Sequence, residues 1–109
     1  MENNEFFIML AIIYGIIVLL ITPYFTDDTW ECIADKTTFF AMTTCTYCQD
    51  QKALIGEENL KFFDIVYCDK EGKEECEYHN ITLAPTWKVG NNYYRGFKEL
   101  NELKNYTGC

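Results

Sequence analysis

Cys45 and Cys48 are separated by two residues in the stretch TTCTYCQDQK, residues 43–52. Two thiols at this spacing can form a redox couple, supply half of a metal site, or close a small structural disulfide. The residues that follow them have a helical pattern, so the pair lies at a predicted helix start. The three possibilities differ in the partners that each needs from the rest of the chain.

A helix start is a position that makes a cysteine pair redox-active. Unsatisfied backbone N–H groups and the positive end of the helix dipole favour the thiolate of the first cysteine. Cys45 would then be the nucleophile that attacks a disulfide, and Cys48 would attack the mixed disulfide and release the product. We therefore predict Cys45 and Cys48 as the catalytic residues of a thiol–disulfide exchange.

The residues around the pair predict a strand before it and a helix after it. TTFFAM, residues 37–42, is a β-branched and aromatic run that ends at a Thr-rich turn. CQDQKALIGEEN, residues 48–59, has a helical pattern in which Ala53, Leu54 and Ile55 are predicted to face the core.

The remaining stretches predict the order of an α/β domain. KFFDIVYC, residues 61–68, predicts a largely buried strand, and residues 74–79 predict a short helix. Residues 84–90 and 91–97 predict a hairpin around a Gly-Asn-Asn turn. KELNELKNYTGC closes the chain with two leucines at helical spacing and predicts a last helix.

The N-terminal part of the chain is apolar. Residues 6–26 carry no charge, a length that as a helix can cross a hydrocarbon core of roughly 30 Å. The preceding MENNE lacks the positive charge of a signal peptide, although a cleaved signal peptide or a buried core helix would be the alternatives. We predict a tail and single transmembrane helix in residues 1–26, and a separate domain in residues 27–109.

The predicted domain is acidic. Glu2 and Glu5 are the acids of residues 1–26, so residues 27–109 hold 15 acidic against 9 basic residues, a net charge of −6. No basic stripe occurs in the sequence. This composition argues against nucleic acid as a partner.

All six cysteines lie beyond the predicted anchor. Such a density in a small domain is typical of an oxidising compartment, where disulfides persist. Asn-x-Thr sequons at Asn80 and Asn105 are compatible with a secretory pathway. We expect a single-pass membrane protein whose domain lies on the extracytoplasmic or lumenal side.

Taken in order, these stretches resemble the thioredoxin superfamily, and in particular the thioredoxin-like domain fused to vitamin K epoxide reductase homologues. The resemblance covers about two thirds of the chain, residues 37–109. It implies a thioredoxin-like fold, which is a central mixed sheet flanked by helices. It also implies that the protein exchanges disulfides with cysteine-containing protein substrates and with a redox partner protein, and that it needs no cofactor. The matching stretches are CTYCQDQKALIG, VYCDKEGKEEC, APTWKVGNNYYRG and ELNELKNYTGC.

The resemblance also assigns a role to the loop at Pro85. It implies a cis peptide bond after Ala84, in a loop that faces the cysteine pair and presents backbone groups to an extended substrate. The resemblance therefore predicts three substrate-binding residues, Ala84, Pro85 and Tyr47. The alternative is a trans-proline at the start of an edge strand.

The chain departs from the family's pattern in three respects. Thr46 and Tyr47 stand where relatives commonly have Pro or His, so no cation lies between the cysteines. Phe39 occupies the position of a buried acid, six residues before the nucleophile, which leaves no proton acceptor for Cys48. The helical bundle of the epoxide reductases is missing, so their quinone chemistry is not implied.

The other four cysteines are predicted to be structural. The resemblance implies a disulfide between Cys68 and Cys76, with a role in a redox relay as the alternative. Cys32 and Cys109 bracket the domain and could pair with each other, stay free or bond to another chain.

A zinc site is the competing use of the thiols. Cys45, Cys48, Cys68 and Cys76 are four potential ligands, but a zinc ribbon prefers two tight knuckles and the second pair is separated by seven residues. We therefore predict no metal. His79 is predicted to be solvated surface rather than a catalytic base.

Two functions follow from these residues. The first is a membrane-anchored thiol–disulfide oxidoreductase that exchanges disulfides with protein substrates through Cys45-Thr46-Tyr47-Cys48. The second is a non-catalytic adaptor of thioredoxin fold, in which the pair is a staple and the face at Pro85 holds a partner. The two differ in whether Cys45 reacts with disulfides.

Overall fold

A computed structural model describes residues 2–21 and 28–109. Helices and strands alternate along most of the second range, in the order that the sequence predicts, with two additional short helices. The elements are α1 (Glu2–Ile21), α2 (Thr29–Lys36), β1 (Thr37–Ala41), α3 (Thr46–Ile55), α4 (Glu57–Leu60), β2 (Asp64–Tyr67), α5 (Lys73–Tyr78), β3 (Thr86–Val89), β4 (Asn92–Arg95) and α6 (Leu100–Thr107).

The four strands form one mixed sheet in the order β2-β1-β3-β4. Strand β1 runs parallel to β2 and antiparallel to β3, and β3 and β4 form the antiparallel hairpin. The predicted α/β class with a central mixed sheet and helices is therefore confirmed. The carboxyl end of β1 leads directly to the cysteine pair, so the sheet positions the site.

The sheet buries a large cluster on one face and a small one on the other. Phe39 of β1 and Trp87 of β3 are fully buried in the large cluster and stack with their ring centroids 4.6 Å apart. Phe40 points to the opposite face, where it packs with Val66 and Cys76. Successive side chains of a strand alternate between faces, so β1 contributes to both clusters.

Helix α2 is one of the elements that the sequence did not predict. Only Ile33 and Ala34 of its eight residues are buried, so its apolar pattern is too short to stand out. The Thr37 hydroxyl donates to the Ile33 carbonyl at 2.8 Å where the helix passes into β1. The helix packs against α6, and the Lys36 ammonium donates to the Thr107 carbonyl at 3.2 Å.

Helix α3 lies where it was predicted, but two of its predicted core residues are wrong. Ala53 and Leu54 are exposed, whereas Ile55 is buried. The buried positions are Cys48, Gln51 and Ile55, three and four residues apart on one helical stripe. The helix is turned so that a polar residue, Gln51, faces the core, which a pattern of apolar residues could not reveal.

The strand predicted in residues 61–68 is present, but the prediction that it is largely buried is wrong. Strand β2 has four residues, of which only Val66 is buried, and Phe62 before it is 39% exposed. It is an edge strand of the sheet and is flanked on one side only, by β1. Phe63 does reach the core, but from the turn that precedes the strand.

The apolar N-terminal segment forms α1. Its described large side chains, from Phe6 to Leu19, are exposed. Within residues 2–21 and 28–109, no helix is both long and apolar enough to cross a membrane. Residues 22–26 of the predicted span lie outside the described residues, and the membrane anchor stays a prediction.

Candidate active site

Cys45 lies at the start of α3, as the sequence predicts. Strand β1 ends at Ala41, a turn follows, and Cys45 has the extended backbone of an N-cap residue, with φ −87° and ψ 117°. Its sulfur accepts a hydrogen bond from the backbone N–H of Cys48 at 3.1 Å. The Cys45 side chain therefore satisfies one of the N–H groups that a helix leaves unpaired at its start.

The two thiols differ in their access to solvent. Cys45 is partly exposed, whereas Cys48 is fully buried. Burial, and after it the hydrogen bond with Cys45, raise the pKa of the Cys48 thiol from 9.0 to about 12. An accessible first sulfur and a buried second one suit attack on a partner followed by internal resolution.

A loop 39 residues further along the chain brings Ala84 against the first cysteine. The Cys45 thiol donates to the Ala84 carbonyl at a sulfur–oxygen distance of 3.5 Å. The Ala84–Pro85 peptide bond is cis, the isomer that the resemblance implied. Pro85 is buried and its carbonyl accepts from the Gly96 N–H at 2.7 Å, which ties the loop to the end of β4.

Tyr47 lies on the first turn of α3 and is 67% exposed. The structure thus brings Ala84 into contact with Cys45, with Pro85 buried behind it, and leaves the Tyr47 ring available at the surface. No described hydrogen bond involves the Tyr47 side chain. Its predicted part in substrate binding stays a prediction.

Gln51 connects the helix that carries the cysteines to the rest of the core, and the sequence did not predict this role. Its side chain is fully buried, and its carbonyl accepts from the Lys98 N–H at 2.7 Å and from Trp87 Nε1 at 3.3 Å. Its amide donates to the Lys98 carbonyl at 2.9 Å. These three bonds join α3 to β3 and to the segment before α6. The available signal was its position three residues after Cys48, on the same helical stripe.

Lys52 supplies a positive charge near the buried thiol, although no cation lies between the two cysteines, as the sequence shows. It lies four residues after Cys48, on the same side of α3. Its ammonium donates to the Tyr67 hydroxyl at 3.0 Å and lies 4.9 Å from the centre of that ring. The charge lowers the pKa of Cys48 and so opposes part of the effect of burial.

The turn before Cys45 is held by a carboxylate. The Thr43 backbone N–H donates to both oxygens of Asp69, each at 3.1 Å, and the Thr43 hydroxyl donates to one of them. These hydrogen bonds, the hydroxyl first, lower the pKa of the Asp69 carboxyl. Asp69 directly follows Cys68, so the loop after β2 supports the loop that carries Cys45.

The other four cysteines form two disulfides. Cys68 is bonded to Cys76, the pairing that the resemblance implied, with the Cα atoms 5.5 Å apart. Cys32 is bonded to Cys109, one of the arrangements that the sequence left open, with the Cα atoms 6.1 Å apart. Cys45 and Cys48 are left as the free thiols. Two of the four thiols that a zinc site would use are thus joined to each other.

No family model matches the chain. The chemistry that the site can perform follows from its own geometry. That geometry is a partly exposed thiol at a helix start, a buried thiol one turn further on, a backbone carbonyl against the first sulfur and a lysine near the second.

Proposed function

We propose that this chain is a thiol–disulfide oxidoreductase of thioredoxin-like fold that exchanges disulfides with protein substrates through Cys45-Thr46-Tyr47-Cys48. The observation that carries the proposal is the environment of the Cys45 sulfur. It is partly exposed, sits at the start of α3 and accepts the N–H of Cys48. A sulfur that is open to solvent and held at this position can approach a substrate disulfide, with Cys48 one helical turn behind it.

The first step is attack of the Cys45 thiolate on one sulfur of a substrate disulfide. A new bond forms between Cys45 and that sulfur, the substrate disulfide breaks, and its other sulfur leaves as a thiolate that takes a proton from solvent. The Ala84 carbonyl lies 3.5 Å from the Cys45 sulfur, so a substrate chain bound at this point passes the Ala84–Pro85 loop. Exposed backbone and the Tyr47 ring are the contacts proposed for it.

The second step resolves the mixed disulfide. Cys48 loses its proton to solvent and attacks the Cys45 sulfur. The bond between Cys45 and the substrate sulfur breaks, and that substrate sulfur leaves as a thiolate that takes a proton from solvent. Two electrons have then passed from the cysteine pair to the substrate, and Cys45 and Cys48 are joined. Lys52 assists this step, because its charge stabilises the Cys48 thiolate.

A redox partner protein completes the cycle. A dithiol partner returns the pair to its reduced state by the same two steps in reverse, and a pair kept oxidised instead transfers its disulfide to substrate thiols. The potential of the pair relative to its partner sets the direction.

We further propose that residues 6–26 anchor the protein in a membrane, with the domain on the extracytoplasmic or lumenal side. The absence of charge from these residues supports the anchor. Two disulfides in a domain of this size support an oxidising compartment. We also propose that residues 37–109 are related to the thioredoxin-like domain of vitamin K epoxide reductase homologues.

Serine variants of the full chain in mild detergent test the exchange. Incubated with a protein that contains an accessible disulfide, Cys48→Ser should accumulate a covalent complex that a reductant dissolves, and Cys45→Ser should form none. Thr44→Ser, a substitution at an exposed residue beside the pair, should behave as the wild type. The adaptor alternative gives a different result, since binding would persist in both cysteine variants and no mixed disulfide would form in either.

A further inference from the structure

A cavity lies on the sheet face opposite the large core. Its volume is about 260 Å³. Helix α5 packs on β2 at this face, and the cavity lies over the β3–β4 hairpin. It is lined by His79, Asn80, Ile81, Thr86, Tyr93 and Arg95.

The cavity is close to the candidate active site. Thr86 is two residues after Ala84, whose carbonyl contacts the Cys45 thiol. Thr86 is also the register partner of Arg95 across the hairpin, so the two side chains share one face at a separation of roughly 5 Å. Two residues of chain span at most roughly 7 Å, and less across a cis bond, which puts Arg95 within reach of a substrate segment that leaves Cys45.

The charge of the cavity is unusual for this protein. Arg95 is the one arginine of a chain whose net charge is −8. It is exposed, and within the described part of the chain its guanidinium has no hydrogen-bond or ion-pair partner. Beside it, the Tyr93 hydroxyl and His79 Nδ1 are 2.7 Å apart, which orients both rings at the cavity wall.

These groups suit a carboxylate. A guanidinium presents paired N–H donors that match the two oxygens of a carboxylate, and tyrosine, histidine and asparagine side chains add neutral hydrogen-bonding groups. Ile81 gives the wall an apolar patch against which the methylene groups of an acidic side chain can pack. The volume is below the roughly 300–1,000 Å³ of small-molecule sites, which favours a single side chain over a cofactor.

We infer that this cavity binds an acidic side chain of the polypeptide substrate, within four residues of the cysteine that reacts with Cys45, and that Arg95 determines the preference. The inference rests on the proposed function and adds the substrate class to it. The net charge of −6 over residues 27–109 works against acidic peptides in general, so a preference for glutamate requires a local group such as Arg95.

Exchange kinetics with peptide disulfides test the preference in the full chain. Glutamate is placed in turn at each of the four positions on either side of the peptide cysteine, and each peptide is paired with its glutamine counterpart. We expect kcat/KM to favour glutamate by about tenfold at one or two positions, the size of one charge-assisted hydrogen bond. In Arg95→Gln that ratio should fall to about one, while the rate for the glutamine peptide should be unchanged.

Lys88→Gln is the matched control. Lys88 lies on β3, two residues after Thr86 on the same face, and its loss removes an equal charge. It should leave the glutamate preference in place, whereas Arg95→Lys should keep only part of it, because lysine lacks the fork of donors. Equal rates for glutamate and glutamine at every position would overturn the inference, as would loss of the preference in Lys88→Gln to the same extent as in Arg95→Gln.

A small neutral disulfide separates this inference from the proposed function. Hydroxyethyl disulfide carries no carboxylate, so its turnover should be the same in the wild type and in Arg95→Gln. If the wild type reduces neither this compound nor any peptide, the proposed function fails and the inference fails with it. If it reduces them all without preference for glutamate, the inference alone fails.

Discussion

Resolution of the mixed disulfide at Cys45 should become about tenfold faster for each unit of pH through the neutral range. In the proposed mechanism the Cys48 thiolate attacks, and burial, together with the hydrogen bond with Cys45, raises the pKa of that thiol from 9.0 to about 12. At pH 7, a thiol with a pKa of about 12 is ionised in roughly one molecule in 100,000. The supply of thiolate therefore limits this step, and each unit of pH raises it tenfold.

The mixed disulfide changes part of this environment. Once Cys45 is bonded to substrate, its thiol hydrogen bond with Cys48 and its own charge no longer raise the pKa of Cys48, but burial, the largest cause, remains. The pKa that governs resolution should therefore lie between 9.0 and about 12. The rate should rise continuously with pH and show no plateau below pH 9.

Removing the charge of Lys52 tests the same explanation of the Cys48 pKa by mutation instead of by pH. Lys52→Met takes away the cation that lowers the pKa of Cys48, so resolution should slow at every pH below the plateau, by about threefold to tenfold. Lys61→Met removes an equal charge at an exposed residue outside the site and should have no such effect. Mass spectrometry of acid-quenched single turnovers measures the decay of the mixed disulfide directly. A plateau at or below pH 8, or equal rates in the two lysine variants, would refute this account of Cys48.

Three further predictions concern stability, each measured by urea unfolding. Gly72→Ala should cost about 1 to 3 kcal/mol, because a Cβ there would collide with Val66 and lie 2.7 Å from the Tyr67 carbonyl oxygen; an unchanged midpoint would contradict this. Gln51→Leu should cost about 2 to 4 kcal/mol by leaving two buried donors unpaired, and a stabilised variant would show that they find other partners. Loss of the Cys32–Cys109 disulfide should cost about 4.5 kcal/mol and loss of Cys68–Cys76 about 2.5, from sequence separations of 77 and 8; the reverse order would contradict the loop-entropy account.

The order of the main elements and the place of Cys45 could be predicted because their signals are local. The β-branched and aromatic run of residues 37–42, the turn that follows and the Gly-Asn-Asn hairpin each depend on neighbouring residues. Helix α2 was missed because only two of its eight residues are buried, and its stability depends on packing against α6. The local sequence pattern of α2 contains no information about its contact with α6, which lies at the other end of the domain.

The support of the site could not be predicted for the same reason. Gln51 looks like a surface residue in the sequence and becomes a core residue only because Trp87 and Lys98 satisfy its side chain. Lys52 was not predicted because the sequence pattern considered for a cation was limited to Thr46 and Tyr47, the residues between the cysteines. Its place on the same side of α3 as Cys48 follows from helical geometry, but its bond to Tyr67 depends on the packing of β2.

The reduction potential of the Cys45/Cys48 pair tests the central claim most directly. The full chain is equilibrated with a series of glutathione redox buffers, the free thiols are alkylated in acid, and mass spectrometry counts them. We predict a two-electron transition with one midpoint between roughly −120 and −270 mV, in which Cys45 and Cys48 gain and lose their bond together. Cys32–Cys109 and Cys68–Cys76 should stay oxidised throughout that transition. A pair that stays reduced across the whole series, or that oxidises only between two molecules, would contradict an oxidoreductase that works through this pair.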